Sequence, residues 1–193
     1  PVRLLIADDV GVGKTIEAGM IARELLDRGL AKRLAVICAP HLCDQWAQEL
    51  SEKFNIETAV IQPSRIGRLE RELPRRDVSI YQYYRHLVVS IDYIKSQTNK
   101  GPFLDNCPDL VIVDEAHTAT RPRGDRSGKQ QQRFEFLREL SASPERHLIL
   151  VTATPHSGIE ESFRSMLGLL DKSFDVSEDQ RLPRQRIVPH FIQ

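Results

Sequence analysis

The feature that most constrains the fold is a glycine-rich segment between a buried strand and a helix. Val2–Ala7 is a continuous apolar run, and a helical pattern follows over about Lys14–Arg28, where Gly29 can close the helix. Between them lies Gly11–Thr15, which reads GVGKT. Glycines allow a tight backbone turn, and the free amides at a helix start point at anionic oxygens. The segment therefore predicts a phosphate-binding loop in an α/β domain.

Further short apolar runs alternate with helical segments along the chain. Strands are predicted over Leu34–Ala39, Thr58–Ile61, Leu87–Ser90, Leu110–Val113 and His147–Val151. Helices are predicted over Leu42–Phe54, Pro63–Arg76, Ile91–Gln97, Phe134–Leu140 and Ile159–Leu170, and a polar loop over Ala119–Gln132. Short apolar strands that alternate with helices indicate a mainly parallel sheet with helices on both faces.

The phosphate loop supplies two residues with defined chemistry. Lys14 would neutralise the β and γ phosphates of a nucleotide, and the Thr15 hydroxyl would ligate Mg²⁺. The strict loop pattern begins with glycine where this chain has Asp8, and a chance GKT at a helix start is the alternative. The residues predicted to contact the nucleotide are Asp9, Val10, Gly11, Val12, Gly13, Lys14, Thr15 and Ile16.

A second motif, Asp-Glu-Ala-His, follows the apolar run that ends at Val113. Asp114 is predicted to act on the metal side, and Glu115 to orient or deprotonate an attacking water. His117 would report the state of the γ-phosphate to a neighbouring strand. The alternative is an acidic helix cap, because Asp and Glu are common there.

A third motif begins where the His147–Val151 run ends, with the sequence TATP. The hydroxyls of Thr152 and Thr154 can bond His117 or a carboxylate of the second motif, which would couple the nucleotide to other ligands. A plain turn stopped by Pro155 is the alternative. All three motifs follow strands of one predicted parallel sheet, so we expect them at one edge, where such sheets bind ligands.

Bulk properties exclude several classes of protein. The chain has 193 residues, with 27 basic and 27 acidic side chains, so any nucleic-acid surface must be local. Three cysteines form no CxxC pair, which indicates a reducing cytoplasmic setting and no zinc site. No apolar run approaches a membrane span. The strand at the very start and the proline- and arginine-bearing stretch 181–193 are expected of a piece of a longer protein.

The three motifs together resemble the first RecA-like lobe of superfamily-two helicases, from Leu4 to about Leu170. The resemblance implies a three-layer P-loop NTPase domain over 1–170, with 171–193 as a linker toward an absent second lobe. The stretch Ala7–Gly19 resembles Swi/Snf-type ATPases, and its IEAG end resembles their bacterial branch. Asp9 departs from the glutamate usual in that family.

The resemblance also implies ligands and further contact residues. The parent protein would be an ATP- and Mg²⁺-dependent translocase on double-stranded DNA, and this part alone an incomplete ATPase, because the second lobe supplies an arginine finger. Backbone contacts with nucleic acid are implied for two segments of the chain. Their residues are Ala39, Pro40, Gln45 and Trp46 in the first, and Ser90 and Asp92 in the second. Packing is the alternative role for Trp46.

Other functions stay open at this stage. They are an RNA or single-strand helicase, a restriction-type motor subunit, and a non-catalytic nucleotide-binding scaffold, although intact Lys14, Asp114 and Glu115 argue against the last. The basic stretch Arg121–Arg133 could lie along a phosphate backbone or be a solvated loop. The arginines of Arg65–Arg76 alternate with glutamates, which is typical of a solvated helix face.

Overall fold

The computed structural model describes residues 1–7, 13–119, 128–153, 160–174 and 191–192. Its strands are β1 Arg3–Ala7, β2 Leu34–Cys38, β3 Ala59–Ile61, β4 His86–Ser90, β5 Leu110–Val113, β6 His147–Thr152 and β7 Phe191–Ile192. Its helices are α1 Lys14–Asp27, α2 Cys43–Phe54, α3 Ile66–Arg71, α4 Ile80–Tyr83, α5 Ile91–Ile94, α6 Gln97–Asp105, α7 Lys129–Ser141 and α8 Glu160–Leu170. No helix within these ranges is long and apolar enough to cross a membrane.

The chain divides into two compact units. The first unit comprises 1–14 and 113–193, and the second unit comprises 15–112. In the first unit β1 lies between β6 and β7, and both pairings are parallel. The β1–β6 register runs from Arg3 opposite Leu148 to Ala7 opposite Thr152. Every residue of β6 is buried, as expected for a parallel strand covered on both faces.

The second unit holds the strand order β3-β4-β2-β5. The β2–β4 pairing is parallel and ends with Cys38 opposite Ser90, and β3 pairs parallel with β4 up to Ile61 opposite Val89. All five residues of β2 are buried. These parallel pairings confirm the arrangement predicted from the alternating pattern, and they bring the carboxyl ends of β2 and β4 side by side.

Close approach of α1 and α2 depends on a glycine. A Cβ placed on Gly19 would overlap the Phe54 ring, with Cζ only 2.7 Å away. Gly19 is buried within α1, and Phe54 is the last residue of α2. The glycine in the IEAG stretch is therefore explained by packing between two helices of the second unit.

Replacing Gly19 with alanine is expected to lower the free energy of unfolding by about 1–2 kcal/mol, because overpacking outweighs the helix propensity that alanine adds. Gly67→Ala in α3 is the matched control, since a Cβ there meets only the end of the Arg71 side chain, at 3.9 Å. That variant should gain up to about 1 kcal/mol. Urea denaturation of both variants checks the prediction, which is wrong if Gly19→Ala stabilises the protein as Gly67→Ala does.

Helix bounds differ from the predictions in three places. Pro63–Arg76 contains only α3, and the predicted polar loop Ala119–Gln132 is helical from Lys129. Helix α4 was not predicted, and of α6 only the first residue, Gln97, lay within a predicted helix. The division into a lobe over 1–170 and a linker over 171–193 stays a prediction, although β7 pairs with β1 inside that linker.

Candidate active site

The site in the first unit is built on the ends of neighbouring strands. Ala7, the last residue of β1, lies opposite Thr152, the last residue of β6. The phosphate-loop segment therefore leaves the sheet beside the start of the third motif. Thr152 is fully buried, and its Oγ1 lies 3.0 Å from Nδ1 of His117. This contact between the second and third motifs is the one that the sequence suggested.

Backbone strain marks Glu115 within the second motif. Its φ is 50°, in the left-handed region that side chains rarely adopt. Among the described residues other than glycine, Asn55 alone shares a positive φ, and it caps the end of α2, where asparagine is common. The Asp114 carboxylate accepts a hydrogen bond from the Glu115 amide at 2.8 Å, which fixes this turn. Such strain, of order 1–3 kcal/mol, is typical of functional sites.

The Glu115 carboxylate has unused hydrogen-bonding capacity. Its Oε2 is buried and has no hydrogen-bond donor in the part of the chain that the structure describes. The same oxygen lies 3.0 Å from His117 Nδ1, an electrostatic contact without hydrogen-bond geometry. A single ring nitrogen serves one hydrogen bond at a time, and Nδ1 meets Thr152. The carboxylate oxygen is thus positioned to accept a proton or a hydrogen bond from a ligand or water.

The described part of the phosphate loop has the expected backbone. Gly13 has a φ of 94°, which only glycine adopts without strain, and α1 begins at the next residue, Lys14. The first amides of such a helix have no partner within the helix, so they suit an anion. Thr15 and Ile16 follow in the first turn, in the second unit. The remaining predicted contacts lie outside the described residues, namely Asp9, Val10, Gly11, Val12 and Thr154.

The metal predicted at this site needs ligands beyond the protein. Within the described ranges, no group of three or more His, Cys, Asp or Glu residues could hold a metal ion. A magnesium ion in a nucleotide site takes one or two protein oxygens, and phosphates and waters supply the rest. Asp114 in the first unit and Thr15 in the second unit each carry an oxygen of the kind that Mg²⁺ prefers, so the chemistry of each residue fits a nucleotide-bound Mg²⁺.

The predicted nucleic-acid contacts lie in the second unit, after two adjacent strands. Because Cys38 lies opposite Ser90, the segment that begins with Ala39 and Pro40 starts beside the segment that begins with Ser90. The Pro40 carbonyl accepts a hydrogen bond from the Gln62 side chain at 2.8 Å. Gln62 was not predicted from the sequence. The only indication of its role was its position directly after the apolar run of β3.

The side chains of these candidates differ in their access to a ligand. Trp46 is only 2% exposed, so its side chain packs in the core of the second unit, whereas Gln45 is exposed and bonds Glu49 on the same helix. Asp92 is exposed, and its carboxylate lies 2.8 Å from Nζ of the buried Lys95. No motif marked Lys95, yet it fixes the position of Asp92.

Two thiols bracket the Ala39–Pro40 segment. Cys38 ends β2, Cys43 begins α2, and their sulfurs are 3.6 Å apart, with Cys38 donating a hydrogen bond. That hydrogen bond lowers the pKa of Cys43 to about 7 against the opposing effect of burial. Neither cysteine forms a disulfide, and both are buried. They tie the strand end to the helix start around a predicted contact segment.

Comparison with known proteins identifies the family. Residues 3–162 match the model of the DEAD/DEAH box helicase family, so the chain belongs to that family. Over 162 residues it is 33% identical to an uncharacterized ATP-dependent helicase, YqhH, of Bacillus subtilis, and spans 25% of that protein. Over 173 residues it is 34% identical to the RNA polymerase-associated protein RapA of Actinobacillus pleuropneumoniae. The aligned region covers 83% of this chain in the comparison with YqhH and 88% in the comparison with RapA. It covers only 17% of the length of RapA.

Solved structures confirm the fold class. The Sulfolobus solfataricus SWI2/SNF2 ATPase core in complex with dsDNA superposes with a TM-score of 0.71 over 99% of this chain and 40% of its own, at 17% identity. The Pyrococcus furiosus Hef helicase domain gives a TM-score of 0.63 over 88% of this chain and 33% of its own, at 22% identity. The predicted RecA-like α/β domain with a mainly parallel sheet is therefore confirmed.

Proposed function

We propose that this chain is the ATP-binding lobe of a Swi/Snf-type ATPase that couples ATP hydrolysis to movement on double-stranded DNA. The observation that carries the proposal is the strained Glu115, whose buried carboxylate oxygen has no hydrogen-bond donor among the described residues. A carboxylate that is fixed by its backbone and free to accept a proton suits activation of water for attack on a phosphate.

The other site residues have roles that follow from their positions. Lys14 at the start of α1 would bind phosphate oxygens together with the helix amides. Asp114 and Thr15 would hold Mg²⁺, which neutralises charge on the transferred phosphoryl group when bound. His117 and Thr152, 3.0 Å apart, join the turn that carries Glu115 to the end of β6 and would transmit a change at the phosphate to that strand.

The partners are proposed from resemblance and relatives together. The SWI2/SNF2 core that is similar in fold was solved in complex with dsDNA, and the relative RapA is an RNA polymerase-associated protein. We propose duplex DNA as the substrate and a second helicase lobe in the same parent protein. A cytoplasmic bacterial setting is part of the proposal, since the relatives named above come from bacteria.

The proposal is tested first at the nucleotide. A fluorescent ATP analogue with Mg²⁺ is titrated into this chain, into Lys14→Ala and into Lys32→Ala, which removes an exposed lysine as a control. Saturable binding that Lys14→Ala weakens about tenfold or more is expected, since each factor of ten is about 1.4 kcal/mol. Equal binding by all three proteins would show that the phosphate loop is assigned wrongly.

The nucleic-acid substrate is tested in the full-length protein. ATP hydrolysis is measured with duplex DNA, single-stranded DNA and RNA, and the proposal expects the largest stimulation with duplex DNA. Stimulation by RNA or single strands alone would support the alternative of a strand-separating helicase. Binding of nucleotide without hydrolysis under any of these conditions would support a non-catalytic scaffold.

A further inference from the structure

A cavity of about 860 Å³ lies in the second unit, next to the predicted contact segment that contains Ser90 and Asp92. Its walls come from α3, from the turn that follows α3, and from Tyr93, Asn99 and Pro102 on and beside α5 and α6. A volume of this size is in the range of sites that hold small ligands or parts of larger ones. Three arginines, Arg71, Arg75 and Arg76, line one side.

Ion pairing divides the five arginines of Arg65–Arg76 into two groups. Arg65 pairs with Asp44 at 2.8 Å, Arg68 with Glu72 at 2.9 Å, and Arg75 bonds Asp77 at 2.9 Å. Of these three only Arg68 lies within α3, and all three make ion pairs or hydrogen bonds with carboxylates at the surface, as expected of a solvated segment.

The other two arginines differ from these three. Within the ranges that the structure describes, Arg71 and Arg76 make no hydrogen bond or ion pair, and both line the cavity. Two carboxylates line the cavity as well, Glu70 and Asp77, and Asp77 is bonded by Arg75. Glu72 lies outside the lining and is bonded by Arg68, although Arg71 also helps to lower its pKa. The lining thus carries three guanidinium groups against two carboxylates, an excess of one positive charge. Guanidinium groups of this kind suit the phosphates of a nucleic acid.

The rest of the lining is held by contacts within the second unit and is partly aromatic. The Asn99 side chain donates a hydrogen bond to the Tyr93 carbonyl at 3.0 Å, and Tyr81 packs edge-on against the buried Phe103. Leu73, Pro74, Val78 and Pro102 add apolar surface. Positive charge beside apolar and aromatic surface occurs in protein grooves that follow a nucleic-acid backbone.

We propose that this cavity binds the sugar–phosphate backbone of a nucleic-acid strand, with Arg71 and Arg76 each contacting a phosphate. The inference rests on the proposed function and assigns a contact surface to residues that no motif marks. Tyr93 links the cavity to the predicted contact segment, because it follows Ser90 and Asp92 directly and lines the cavity itself. The proposed contact surface for nucleic acid thus extends from the end of β4 to the end of α3.

The test compares two double variants of the full-length protein. Duplex DNA binding is measured by fluorescence anisotropy between about 50 and 200 mM salt. Arg71→Ala/Arg76→Ala is expected to lower the slope of log K against log salt by about two, and to weaken binding about tenfold at the higher salt. Arg65→Ala/Arg68→Ala is the matched control, because it removes two ion-paired arginines of the same segment that lie outside the cavity. It should leave the slope unchanged.

Further arms separate the possible outcomes. Arg71→Lys/Arg76→Lys keeps both charges and should restore most of the slope. An unchanged slope in the first double variant, or an equal fall in the control, overturns the inference while the proposed function stands. A wild-type protein that binds neither duplex DNA, single strands nor RNA contradicts both. Thermal unfolding confirms that the variants are folded, which is expected since all four arginines are at the surface.

Discussion

Glu115→Gln is expected to lower the rate of ATP hydrolysis by the full-length protein about 10²–10⁴-fold, the contribution of a positioned general base. Glutamine has nearly the same shape, so the turn and its φ of 50° should persist. Its amide can hydrogen-bond a water molecule but cannot take the water's proton. Binding of a fluorescent ATP analogue should therefore stay within about threefold of wild type, less than 1 kcal/mol, while turnover falls.

Glu145→Gln is the matched control for this prediction. Glu145 is exposed in the turn before β6, so the same chemical change there should leave hydrolysis unaltered. If Glu115→Gln hydrolyses ATP at the wild-type rate, the carboxylate is not the base and the strained turn needs another explanation. If the variant loses nucleotide binding as well, Glu115 contributes to the site in the ground state.

The strands were predictable because each is a short apolar run with a clear end. All the strands predicted from β1 to β6 are present within one residue of their predicted bounds, and Gly29, with a φ of 67°, closes α1 as expected. Burial on both faces of a parallel sheet demands continuous apolar sequence, which is a strong local signal. The first residue of each motif was predictable for the same reason, because each motif begins where one of these strands ends.

The missed helices carry no such signal. In α6 only Phe103 is buried, and Gly101 and Pro102 argue against a helix, yet the Ser96 side chain caps it by accepting from the Asn99 amide. The first turn of α7 is Lys129–Gln132, which is entirely polar, and the preceding Gly128 has a φ of 67°. Where one or two buried side chains anchor a helix, its sequence has no periodicity from which to predict it.

The candidate site likewise contains residues that the sequence could identify and residues that it could not. Lys14, Asp114 and Glu115 could be named because their chemistry is unusual at strand ends. That Arg71 and Arg76 make no ion pair with any residue that the structure describes could not be predicted, since it depends on which carboxylates bond the other arginines. The support that Gln62 gives to Pro40 depends on the order of β3 and β4, which sequence alone does not fix.

Arg3 carries the largest stability effect that we expect. Its guanidinium donates to carbonyls at the ends of two helices, with Nη2 bonding Ser141 at the end of α7 and Nε and Nη2 bonding Leu170 and Leu169 at the end of α8. Burial lowers the pKa of this arginine, and Arg146 adds to that effect. The last carbonyls of a helix have no partner within it, and a cation there is favourable.

Arg3→Met is expected to reduce the free energy of unfolding by about 3 kcal/mol, because hydrogen bonds to a charged group are worth about 1.5–3 kcal/mol and several carbonyls would lose their donor. Urea denaturation measures the change. Arg3→Lys has three donors in place of five, so its free energy of unfolding should lie between those of the wild type and Arg3→Met. Arg28→Met removes an arginine that is 67% exposed, and should change stability by no more than about 0.5 kcal/mol. Equal stability of Arg3→Met and Arg28→Met would mean that water satisfies the helix ends as well as the guanidinium does, and that apolar packing alone holds α7 and α8 against β1.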